Sequence, residues 1–105
     1  MNRTEKLTEL RSLQARCDVI RQELQINSPG EVLFLAPLGE WSDSSVVVAA
    51  DGLGGATTSV VQGNYPVDYV NKFERGFPTE SEAGRAAEEV AFGGVAPDRV
   101  LGAAA

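Results

Sequence analysis

The chain has 105 residues, with 9 Lys+Arg against 15 Asp+Glu, a net charge of −6, no His and a single Cys. Without His there is no Ser-His-Asp or Cys-His pair and no imidazole metal ligand. One Cys permits neither an internal disulfide nor a Cys-based zinc site, and the length suits one small domain or a domain with an arm.

Residues 3–26 are predicted to form one helix. Leu10, Leu13, Cys17, Ile20 and Leu24 follow spacings of 3, 4, 3 and 4, an a/d seam across about two heptads. Leu7 and Val19 widen the stripe. Asn2 with Glu5 three residues later has the form of a capping box. Asn27-Ser28-Pro29-Gly30 stops the helix, because Pro cannot continue it and Gly suits the turn. Such a helix is about 36 Å long, whereas the body it precedes should be about 27 Å across. The helix therefore overhangs, and its seam needs a partner, either a second copy or another protein. The competing expectation is that the stripe packs on its own body, with Cys17 as a small apolar core residue. A symmetric pairing would instead bring two Cys17 side chains together.

Val32 to Ala36 is an apolar run ended by Pro37 and reads as a buried strand. Gly39 to Ser44 is a polar turn carrying Trp41. An exposed Trp there would be a contact hot spot, and a Trp folded over the sheet is the other reading. Ser45–Ala50 and Thr57–Val61 are β-branched runs joined by the Gly-rich segment 51–56, the pattern of an antiparallel hairpin. Tyr65, Tyr69, Phe73 and Phe77 recur every four residues, so 64–77 is read as a short helix or irregular segment whose aromatics fill the core. Thr79 and Glu82 form a capping box for a helix over 80–92, with Ala83, Ala86, Ala87, Val90 and Ala91 on one face. That face is small enough to lie close on a sheet. Residues 95–105 have no clear period, although Val100-Leu101 offers an apolar pair for docking.

The expected fold class is thus α+β: a long N-terminal helix, a small antiparallel sheet of about three strands, and a C-terminal helix packed on it. The expected divisions are a helical arm (1–28), an acidic body (31–94) and a tail (95–105).

Few residues suggest chemistry. Gly52-Leu53-Gly54-Gly55-Ala56-Thr57 begins like a dinucleotide fingerprint, but Thr57 replaces the third Gly and a β-branched run follows where a helix N-terminus is needed. No Lys-Ser/Thr follows either, as a P-loop requires. Asp43, Asp51 and Asp68 are the candidates for a carboxylate pair, against the plainer reading of turn acids. Ser42, Ser44 and Ser45 have no His to activate them. The expectation is a non-enzyme with no cofactor and no metal.

Charge is unevenly divided. Residues 1–31 hold five basic and five acidic side chains, while residues 32–105 hold four basic and ten acidic ones, so the whole excess belongs to the body. Glu80, Glu82, Glu88 and Glu89 form the expected acidic surface for a protein partner, a basic one on charge grounds. The expected function is a protein-interaction module that self-associates or docks through its helix. The alternative is an acidic inhibitor or nucleic-acid mimic occupying a basic groove, and a carboxylate enzyme ranks behind both. Direct nucleic-acid binding is not expected from this charge. No apolar run approaches the roughly 20 residues that cross a bilayer, and the charged N-terminus lacks the apolar stretch of a signal peptide. The expected setting is cytoplasmic, without membrane contact.

Overall fold

The computed structural model describes residues 2–39 and 43–102. Helix α1 spans Arg3–Leu24, and Asn2 caps it by accepting from the Glu5 backbone N–H at 2.9 Å. The helix ends two residues before the predicted stop. Gln25 turns left-handed (φ 58°), and the Ile26 N–H bonds back to the Arg21 carbonyl at 3.0 Å. This backbone closure satisfies the last carbonyls before Pro29 is reached.

Four strands follow: β1 (Val32–Pro37), β2 (Ser44–Ala50), β3 (Ala56–Asn64) and β4 (Asp68–Phe77). They form one antiparallel meander in the order β1-β2-β3-β4. Helix α2 (Glu80–Ala91) crosses one face, and the short α3 (Pro97–Val100) packs beside α2. The α+β architecture is as expected, with a fourth strand where about three were predicted.

Strand β4 replaces the helical or irregular segment expected over 64–77. A spacing of four is ambiguous in itself, since residues i and i+4 share a face on a strand as well as on a helix. Pairing to β3 resolves it. Phe77, Arg75 and Phe73 lie opposite Ala56, Thr58 and Val60. A bulge then intervenes, because Val61 pairs with Asn71 and leaves Lys72 as the extra residue. Phe73 and Phe77 pack towards the core under α2. Tyr69 instead lies beside Tyr65, with ring centroids 4.8 Å apart, and both border the opposite face near Val47 and Val61.

The core lies between α2 and the sheet. Val46 and Val48 of β2 and Ala56 and Val60 of β3 meet Ala83, Ala86, Ala87 and Val90. Thr58 is fully buried in the same layer, and its hydroxyl donates to the Ala83 carbonyl at 2.8 Å. That bond joins a sheet side chain to the helix backbone, so α2 rides close on the sheet, as its small residues predicted. Leu101, just past α3, is buried in this cluster. The C-terminal segment thus docks on the body through Leu101, with Val100 packed alongside.

Gly84 sits mid-helix, and a Cβ built there meets nothing within 4 Å. Gly84→Ala should therefore stabilise the body by about 0.5–1 kcal/mol through reduced unfolded-state entropy. A raised urea midpoint would register this, and a lowered one would mean that the open space is not real.

Candidate interaction surfaces

Helix α1 buries none of its residues. Leu10, Leu13, Ile20 and Leu24 are 52%, 54%, 43% and 64% exposed. Cys17 is a free, exposed thiol. Both results correct the expectation that the stripe packs on its own body with Cys17 in a core. The physical reason is reach: the chain measures 53 × 28 × 21 Å, and its long axis far exceeds the width of the body.

Among the described residues, only the base of α1 is anchored to the body. Arg21 Nε donates to the Gly52 carbonyl at 3.0 Å, and Arg21 also pairs with Asp18 at 3.1 Å. Pro29 lies over Gly52 so closely that a Cβ there would meet Pro29 Cδ at 2.7 Å. Asn27 Nδ2 donates to both carboxylate oxygens of Glu80, at 2.8 and 2.9 Å. Glu80, expected on the acidic partner surface, is half-buried and holds the linker to the first turn of α2.

The Gly-rich segment 51–55 is an ordered loop. Asp51 Oδ1 accepts from the backbone N–H groups of Leu53 (2.7 Å) and Gly55 (3.1 Å), an arrangement in which Asp mimics a backbone turn. This assigns Asp51 a structural task. The loop presents Leu53, which is 83% exposed. Leu53 faces a mainly apolar notch of about 230 Å³ bounded by Cys17, Ile20, Leu24, Ile26, Gly52 and, as its one charged residue, Arg21. The seam and the notch are therefore one continuous apolar surface. Sequence reasoning missed Leu53 and Ile26 as parts of it, although a large apolar residue set between loop glycines was an available signal.

Among the other acids, Glu82, Glu88 and Glu89 are exposed. They do not stand on a uniformly acidic surface. Glu82 and Glu89 border a groove of about 530 Å³ together with Arg75, Arg85 and Arg99, three of the body's four cations. Arg75 is fixed there by the Val100 carbonyl at 3.1 Å and by the Phe77 ring, 4.9 Å below its guanidinium. This convergence of arginines was not foreseen, because the three lie on β4, α2 and α3. No group of three or more Cys, Asp or Glu placed to hold a metal ion occurs among the described residues. No helix among them is long and apolar enough to cross a membrane. Trp41, the expected hot spot, and Ser42 lie outside the described residues.

No protein-family model, curated protein or solved structure matches this chain. Any reading of its function therefore rests on the geometry and chemistry of its own residues.

Proposed function

We propose that the protein is a non-catalytic interaction module that self-associates through α1 and presents its acidic body to a basic protein partner. The observation that carries this reading is a 22-residue helix with an apolar seam and no buried residue. Area supports it. The chain exposes 7252 Å², roughly 1,600 Å² more than a compact chain of its mass. A standard interface takes only about 800 Å² from each partner. The near balance of charge in residues 1–31 also suits pairing with a second copy, because like does not repel like. The net charge of −6 then remains on the bodies and favours a basic partner there, away from the groove that Arg75, Arg85 and Arg99 line and with exposed Glu88 among the available acids.

Light scattering tests the reading directly. The native chain should show a dimer mass. Leu13→Asp combined with Ile20→Asp should return a monomer, raising the dissociation constant by about 1,000-fold or more, because each carboxylate would be buried without a partner. Neither side chain contributes to the body core, so circular dichroism of the β-sheet should be unchanged. An unaltered mass for the double variant would overturn the proposal.

A further inference from the structure

We infer that the second copy pairs antiparallel to the first, and that its Leu13 seats in the notch between α1 and the 51–55 loop. This rests on the self-association proposed above and specifies its geometry. In heptad terms Leu10, Cys17 and Leu24 occupy a, and Leu13 and Ile20 occupy d. The flanking g positions are Glu9, Arg16 and Glu23, and the e positions are Leu7, Gln14 and Arg21. Charges at e and g select partner orientation.

In a parallel pair, each g residue faces the e residue of the next heptad on the other helix. Arg16 would then face Arg21 of the second copy, and the symmetry would repeat this repulsion. Arg21 is not free to turn away, being bonded to the Gly52 carbonyl. In an antiparallel pair, g faces g. The register that places Leu13 against Leu24 and Cys17 against Ile20 sets Arg16 against Glu23 of the second copy, twice. Sliding one helix by a heptad in one direction keeps four apolar layers but sets Glu9 against Glu23 and Arg16 against Arg16. Sliding it the other way leaves only Ile20 against Leu24 within the helices and sets Glu23 against Glu23. One register satisfies both the apolar layers and the charges.

That register also accounts for the notch. It brings Leu13 of the second copy opposite Leu24, which lines the notch with Ile26 and Leu53. Leu53 is otherwise a large apolar side chain held out on a loop that Asp51 makes rigid. Two heptads alone are a marginal coiled coil. The two notches, one at each end, add Ile26 and Leu53 of each copy to the contact.

Single-cysteine cross-linking under a mild thiol oxidant separates the geometries. The first protein is the native chain with Cys17. The second carries Cys17→Ser and Ile20→Cys. In the antiparallel pair Cys17 lies across from position 20, while two copies of Cys17 are offset by about 4.5 Å along the axis in addition to the width of the helix pair. A disulfide tolerates no such spread. A covalent dimer should therefore form only when the two proteins are mixed. Charge reversal gives a second readout of opposite sign for the two geometries. Arg16→Glu should weaken the antiparallel dimer, and adding Glu23→Arg should restore it; in a parallel dimer Arg16→Glu would strengthen association by facing Arg21. Leu53→Asp, outside the helix, should raise the dissociation constant about tenfold or more. A dimer that cross-links in each protein alone, or tightens with Arg16→Glu, overturns the orientation and leaves self-association standing. A chain that is monomeric at all concentrations overturns both.

Discussion

Gly55→Ala should destabilise the body by about 2–4 kcal/mol, among the larger losses expected of any single substitution here. A Cβ at this position would run into the Phe77 carbonyl oxygen, and would lie 2.7 Å from Asp51 Oδ2 and 3.2 Å from the Pro78 carbonyl carbon. Two of these three are backbone atoms and cannot rotate away. Phe77 is the last residue of β4 and pairs with Ala56, the first of β3, so the clash falls where the sheet closes at that end. Gly55 also exchanges bonds with Asp51, its N–H donating to Asp51 Oδ1 and its carbonyl accepting from the Asp51 N–H at 3.1 Å. Relief by moving Gly55 would break this loop. Relief by moving Phe77 would open the β3–β4 pair. For a domain of this size, the loss corresponds to a fall in Tm of about 10–25 °C. A change under about 0.5 kcal/mol would mean that the strand end and loop are not packed as described, since surface substitutions alone fall in that range. The contrast with Gly84 is instructive: the same added methyl is stabilising where the space is open.

Much of this arrangement was legible in the sequence, and the exceptions have a common cause. Helix α1 and helix α2 were readable because their signals are local. A side-chain cap lies three residues from the amide it accepts from, and seam residues lie one turn apart. Strands β2 and β3 were readable from β-branched runs around glycines. Strand β4 was not, because its aromatic spacing of four fits either periodicity and only pairing with β3 decides between them. The bulge at Lys72 is likewise a property of two strands together. The overhang of α1 followed from length alone. Its exposed seam, however, was held open against packing on the body, since sequence fixes how long a helix is before it fixes which way it leaves the sheet. Here direction is set by Arg21, Asn27 and Pro29, whose partners Gly52 and Glu80 are distant in the chain. The same limit hid the groove of Arg75, Arg85 and Arg99, whose members come together only once α2 and α3 lie against β4. Glu80 shows it from the other side: it looked like one of four equivalent surface acids, yet Asn27 claims both of its oxygens.

Ala87→Leu should cost about 3 kcal/mol, a large share of the roughly 3–9 kcal/mol that holds a body of about 60–70 residues together. Ala87 and Ala83 are completely inaccessible and, four residues apart, point down the same face of α2. Beneath them lie Val46, Val48 and Val60. The separation of helix and sheet is pinned by the Thr58 hydroxyl, which must stay within 2.8 Å of the Ala83 carbonyl. Three extra carbons at position 87 have nowhere to go unless the helix lifts. Lifting it breaks that bond and leaves a buried hydroxyl without a partner, a penalty of about 1–3 kcal/mol in itself. Denaturant unfolding monitored on the sheet would register the loss, and a midpoint unchanged within error would mean that α2 rides higher than Thr58 allows. The seam of α1 lies beyond the reach of this strain, because among the described residues α1 joins the body only at its base. At temperatures where the variant body remains folded, its dimer mass should equal that of the native chain. Body stability and self-association would then vary independently, as expected if a close-packed sheet and helix form the scaffold and an uncovered helix forms the contact.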